Sequence, residues 1–247
     1  LIKSYSLSKA LTSIYIFDEN YHLDFNAPSR SWFLSNSLKE LNSDWEKAGS
    51  RLIVESGDPK LIIPKIAKLI KANYVAWNKT IEPYEIDRDL NVEKELEKLN
   101  IKVINLWDHL LIEPSLIATG TNKPYTVYGP FYKNLKNQLS KESFIDDNFI
   151  NFKLVNLEDL PSGIAEDPII QKTNYNLEKF SKNINFSGNE ICPCKPGESA
   201  AEKLLNNFIS SKKLINYDFQ RDFPSINGTS YLSASLRFGT ISIRKAW

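Results

Sequence analysis

Near the end of the chain, Gly228-Thr229-Ser230-Tyr231-Leu232-Ser233 sets three hydroxyls and several backbone N–H groups beside a glycine, where an apolar helical pattern begins. Short-range donors at a helix N-terminus can hold a phosphate without a full counter-charge. The same residue types make an ordinary helix cap, and spacing alone leaves both readings open. Just upstream, Tyr217 reads as a core or interface aromatic, and Arg221 has a ready ion-pair partner in Asp222.

No catalytic triad, acid–base pair or metal cluster stands out. Cys192 and Cys194 are separated only by Pro193, too constrained for an easy disulfide, and His22 and His109 are the only histidines, so no metal site is expected. The 247 residues, 42% hydrophobic, suffice for one large domain or two smaller ones with buried cores. Basic and acidic residues nearly balance at 31 against 30, so a nucleic-acid surface would have to come from local asymmetry. Residues 201–247 do lean positive, with seven basic against three acidic side chains, which a solvated face explains equally well. There is no secretory h-region and no apolar run of about eighteen residues, so a cytoplasmic, membrane-free protein is the default expectation.

The elements that would position these groups follow from periodicity. Ser13–Phe17, 51–55, 74–77 and 102–106 read as short β-branched or aromatic strands. Leu34, Leu38, Leu41 and Trp45 share one face of a helix opened by Pro28, and Ile62, Ile66 and Ile70 share a face of the next. Gly57-Asp58-Pro59 can cap that second helix, although Pro64 predicts a later start or a kink. Asp87 or Asp89 can cap a third helix with Val92, Leu96 and Leu99 inward. Strands alternating with helices imply right-handed crossovers and a parallel sheet covered on both faces, with ligands outside the carboxyl ends of the strands. Asp18, residues 78–84 and Trp107-Asp108 fall there, and no glycine-rich dinucleotide fingerprint follows any strand. From about Asn134 to Glu190 the chain loses its period and reads as a long surface connection, and Ala200, Leu204, Phe208 and Leu214 predict a helical stripe beyond it. The fold class is therefore α/β, with residues 1–133 as a parallel-sheet domain, 134–195 as a linker and 196–247 as the start of a helical domain.

Tyr217, Arg221-Asp222-Phe223-Pro224, Gly228-Thr229-Ser230-x-Leu232-Ser233 and Leu236-Arg237-Phe238-Gly239-x-Ile241-Ser242-x-Arg244 resemble the start of the FAD-binding domain of the DNA photolyase/cryptochrome family. Trp77-Asn78-x-x-Ile81-Glu82-Pro83-Tyr84-x-x-Asp87-Arg88-Asp89, Leu106-Trp107-Asp108 and Tyr125-x-Val127-Tyr128-Gly129-Pro130-Phe131 resemble its Rossmann-like N-terminal antenna domain, most like cyanobacterial class I photolyases. The motifs run in family order over nearly the whole chain. The resemblance implies that Tyr217, Thr229, Ser230, Leu232 and Ser233 lie against FAD, with Tyr231 in the variable position, and that Arg221 meets DNA at the rim of the flavin cavity. It also implies a second chromophore between the two domains, a deazaflavin held by an arginine, an acid and a lysine. The matching positions are Arg30, Thr80 and Arg237. Thr80 departs from the acid and Arg237 from the lysine, which leaves Glu82 as a possible acceptor and leaves the chromophore a deazaflavin, another flavin or absent.

The activity implied is blue-light-driven repair of cyclobutane pyrimidine dimers, the lesion flipped from duplex DNA to reach reduced FAD, by a monomer with no metal and no catalytic side chain. A cryptochrome-type photoreceptor without repair is the first alternative, and a plain α/β nucleotide-binding module the second. The absence of methionine, and a last residue, Trp247, in mid-pattern, read as a fragment, expected to be inactive alone because too little of a flavin cavity is present.

Overall fold

The computed structural model describes residues 11–18, 27–47, 52–140 and 194–247. Strand β1 (Ser13–Phe17) runs parallel to β2 (Leu52–Ser56), with Ser13 opposite Leu52 and Phe17 opposite Ser56. Strand β3 (Tyr74–Asn78) runs parallel to β4 (Lys102–Leu106), with Tyr74 opposite Lys102. Three helices precede strands as crossovers: α1 (Pro28–Lys47), α2 (Pro59–Leu69) and α3 (Pro83–Lys98). Parallel strands need such covering helices, and the burial pattern shows both faces in use. Leu52 and Val54 turn to one side, with Phe17, Leu34 and Leu38, while Ile53 turns to the other, with Ile66. All three of these β2 residues are at most 2% exposed, which is why the strand reads as an unbroken apolar run. A further cluster of Ala67, Val92, Leu96 and Ile101 joins α2 and α3 to the second strand pair.

Helix α2 begins at Pro59, with Asp58 as N-cap accepting the Lys60 N–H at 2.9 Å, and it continues through Pro64 to Leu69. The expected late start does not occur. Two consecutive first-turn signals, an aspartate cap and a proline at the first helical position, nucleate the helix, and the buried Pro64 ring adds to its packed face. Helix α3 likewise starts at Pro83, after Glu82, so Asp87 and Asp89 lie inside it rather than at its cap. Asp89 pairs instead with Arg88 at 2.7 Å, and its carboxyl is pushed upward from the ordinary range by burial, which the guanidinium opposes.

Helix α4 (Tyr128–Leu139) extends past residue 133 into the expected linker. The rest of that linker, through residue 193, lies outside the described residues, as does Cys192. The C-terminal part contains α5 (Glu198–Ser210), α6 (Lys213–Gln220), α7 (Ser233–Arg237) and α8 (Ile243–Ala246). Its core is Ala201, Leu205, Leu232 and Ile241, with Leu204 and Leu236 against it. The buried stripe of α5 is thus one residue later than the expected one that began at Ala200, and Leu214 is half exposed on α6. No described helix is long and apolar enough to cross a membrane.

Several contacts seat this part on the first. The Gly197 N–H donates to Ser37 Oγ at 3.2 Å and the Ser199 N–H to Glu40 Oε1 at 3.0 Å. Phe33 of α1 and Phe238 after α7 stack with centroids 5.2 Å apart. The Arg244 guanidinium of α8 donates to Asp108 Oδ1 at 2.6 Å and to the Trp107 carbonyl at 3.0 Å, at the carboxyl end of β4.

Candidate functional site

Two sites take shape, one at each end of α7. At its N-terminal end is the hydroxyl-rich turn. Gly228 is buried against the end of α6: a Cβ on it would lie 2.4 Å from Gln220 Cβ. Only glycine allows this approach, and it brings the turn beside the helix that carries Tyr217 and Arg221. Tyr231 then adopts φ 55°, an uncommon conformation for a bulky residue, held in place by Leu232, which is 5% exposed in the core. The Leu232 side chain is therefore committed to packing.

The N-cap of α7 is Leu232, and no side-chain oxygen caps the helix. Ser230 Oγ accepts the Leu232 N–H at 3.4 Å, while the Thr229 and Ser233 hydroxyls have no hydrogen-bond partner among the described residues. A five-residue helix carries little dipole, so the hydroxyls and backbone amides must supply most of any anion binding. Tyr217 is 38% exposed on α6, edge-on to Phe208 with centroids 6.0 Å apart. The Arg221 guanidinium lies over the Tyr217 ring at 5.7 Å and 3.8 Å from the Asp222 carboxylate. Arg221 stays half exposed in both contacts, so a phosphate can still reach it.

At the other end of α7 a cavity of about 580 Å³ opens between the carboxyl ends of the strands and the α7–α8 segment. Tyr15, Phe238 and Ile241 give it apolar walls, and Thr80, Glu82 and Arg237 line it as well. The structure thus brings together three of the positions singled out for a second ligand. Arg30 is exposed on the first turn of α1 and is not among the lining residues. Sequence reasoning passed over Glu85, which lines the same cavity and accepts a hydrogen bond from the Thr80 hydroxyl. Lys79, within the 78–84 segment expected outside the strand ends, lines it too, its ammonium 5.8 Å from the Trp107 ring centroid. Both are ordinary polar residues beside a helix start, and only the fold turns them inward. Among the described residues no group of histidine, cysteine and carboxylate side chains could hold a metal ion.

The site's two-part arrangement can bind an anionic, aromatic cofactor at one end of α7 and a planar ligand at the other. Residues 1–148 match the DNA photolyase family model. A deoxyribodipyrimidine photo-lyase of Synechococcus is 39% identical over 222 residues, which cover 90% of this chain and 44% of that protein. Cryptochrome DASH of Synechocystis is 25% identical over 249 residues, 95% of this chain and 47% of the relative. A solved bacterial class III photolyase from Agrobacterium tumefaciens superposes with a TM-score of 0.76 at 25% identity, covering all of this chain and 48% of its own. The chain spans about half the length of the relatives it matches. On its α/β architecture and on this match to more than half its residues, the chain belongs to the DNA photolyase family.

Proposed function

We propose that this chain is the light-harvesting half and cofactor entry of an enzyme that repairs cyclobutane pyrimidine dimers in DNA under blue light. The observation that carries this is the Gly228–Ser233 turn, with two hydroxyls that have no hydrogen-bond partner among the described residues, fixed by the close approach of Gly228 to Gln220 beside Tyr217 and Arg221. Its donor set fits the pyrophosphate of FAD, for which the Thr229, Ser230 and Ser233 hydroxyls and the Tyr231 backbone N–H would supply hydrogen bonds, with Leu232 packed behind them. Tyr217 would bound the cofactor on the α6 side. Reduced FAD, when bound, supplies the light-excited electron that splits the dimer. Arg221 would hold a DNA phosphate at the rim, positioning the duplex without reading its sequence. The cavity at the far end of α7 would take a second chromophore, a deazaflavin or another flavin, with Glu82 and Arg237 beside it.

The test is FAD retention by the protein expressed from its full reading frame. It should purify with FAD, and the triple variant Thr229→Ala, Ser230→Ala, Ser233→Ala should bind FAD about tenfold or more weakly. A protein that never holds FAD would overturn the reading. Bound FAD without any light-dependent repair would move the assignment to a photoreceptor of cryptochrome type.

A further inference from the structure

We propose that the exposed face of α4, along Tyr128, Tyr132 and Lys136, is a contact surface for single-stranded DNA, with bases stacked on the tyrosines and phosphates held by the lysines. The surface shares no residue with the hydroxyl-rich turn or with the cavity at the far end of α7.

Residues 114–140 contain three lysines, Lys123, Lys133 and Lys136, and no aspartate or glutamate. In a chain whose charges nearly balance, this is the local asymmetry that a polyanion requires. Helical spacing sets Tyr128, Tyr132 and Lys136 in one row, at i, i+4 and i+8, with Gly129 and Lys133 in the row beside it. The two tyrosine rings stack, with centroids 5.6 Å apart and planes 13° from parallel, and the Lys136 ammonium lies 5.5 Å from the Tyr132 centroid. Phe131 braces Tyr128 at 6.2 Å and Tyr125 at 6.4 Å, and the Asn134 amide donates to the Tyr125 hydroxyl at 3.2 Å and to the Ala118 carbonyl at 3.3 Å. The platform is therefore set by its own contacts, yet Tyr128 is 71% exposed and Tyr132 42% exposed.

Gly129 is a second, independent sign. Its backbone is not left-handed, and a Cβ on it would meet nothing within 4 Å, so neither a turn nor a close approach within the protein calls for glycine. Glycine weakens a helix relative to alanine. Its missing side chain keeps the strip between Tyr128 and Lys133 clear, where a sugar-phosphate backbone can lie close to the helix.

Exposed rings select a partner with free π-faces, and lysines select one with phosphates. Single-stranded nucleic acid has both, whereas the bases of a duplex are stacked on one another. A membrane surface would ask for large aliphatic side chains between the lysines, and the row offers tyrosines instead. RNA is told from DNA by partners for its 2′-hydroxyl. The segment has no carboxylate, and the Asn134 amide oxygen already accepts from Gln138 at 3.4 Å, so the choice falls on DNA.

The experiment uses the protein from the full reading frame, in an Arg221→Ala background that removes the proposed rim contact. It is titrated in darkness against a lesion-free, dye-labelled oligothymidylate of about twelve nucleotides and followed by fluorescence anisotropy. This parent should bind, and Tyr128→Ala and Tyr132→Ala should each weaken binding about tenfold, while Tyr128→Phe and Tyr132→Phe, which keep the ring, stay near the parent. Lys133→Gln together with Lys136→Gln should lower the slope of log affinity against log salt by about 1.4. Gly129→Leu should weaken binding severalfold and melt no lower than the parent, and it carries the test if the alanine variants do not fold. The titration needs neither FAD nor repair, so its outcome is independent of the function proposed above. No binding by the parent, or parent-like binding by the tyrosine-to-alanine and Gly129 variants, would overturn the proposal. Equal competition by undamaged duplex, by RNA of the same length or by anionic vesicles would overturn it in favour of that partner.

Discussion

Arg244 reaches across 136 residues of sequence to hold Asp108, its guanidinium 2.6 Å from the carboxylate and 3.0 Å from the neighbouring Trp107 carbonyl. This bidentate grip ties α8 to the carboxyl end of β4 and closes one wall of the cavity, which Asp108 and Ile243 both line. A ligand placed there would depend on a contact between the two halves of the chain.

Arg244→Ala should therefore do two things at once. With Arg244 about three-quarters buried and Asp108 half exposed, loss of the pair and the carbonyl bond should cost about 1–2 kcal/mol, seen as a drop of a few degrees in thermal melting. Retention of a second chromophore should fall more steeply than FAD content. Equal loss of both would show that the contact supports folding generally rather than the cavity.

Gly228→Ala tests the other end of α7. The new Cβ would fall 2.4 Å from Gln220 Cβ and 3.3 Å from backbone, so the turn must move away from α6 at a cost of about 1–3 kcal/mol. The expected result is lost FAD with the α/β part still folded, read by flavin absorbance and by circular dichroism. Full FAD content in this variant would show that the turn does not depend on its seat against α6.

Glu198 opens α5 among Glu40, Asp44 and Glu202. Much of the residue reaches solvent, yet the crowding of its carboxyl by protein raises its pKa, and the charges of Asp44 and Glu40 raise it further against the pull of Lys245. An acid with a raised folded-state pKa contributes stability that is present below the ordinary glutamate value and lost as pH rises through the raised one. Glu198→Gln should flatten the pH dependence of melting in that interval and melt higher above it, in scans from about pH 4 to about pH 8. A lower melting temperature at the alkaline end would mean that the charge is stabilising.

Arg221 gives a prediction specific to nucleic acid. If it meets one phosphate, Arg221→Ala should weaken duplex binding alike for all sequences and lower the slope of log affinity against log salt by about 1. An unchanged slope would leave Arg221 to its contacts with Tyr217 and Asp222.

Strand β2 was legible because burial on both faces leaves a continuous apolar signature in Leu52-Ile53-Val54, and Asp58 and Pro59 offered the cap of α2 as local signals, although Pro64 argued for a later start that does not occur. Cap residues at α3 were misjudged because Asp87 and Asp89 look like caps by type, whereas Pro83 had already set the first turn. The hydroxyl-rich turn was visible in its glycine and hydroxyls, but not the reason for the glycine, which lies in a contact with Gln220 eight positions away. Glu85 and the pairing of Arg244 with Asp108 were invisible for a related reason. Each looks like a common surface charge until chain crossings separated by up to 136 residues bring its partner into place.

The most direct measurement is repair of an oligonucleotide carrying a single thymine dimer by the reduced, full-reading-frame protein, under blue light and in darkness. Repair in the light alone, lost with the hydroxyl-turn variants, is the predicted result. Absence of repair in the light, with FAD bound and the duplex engaged, would contradict the assignment.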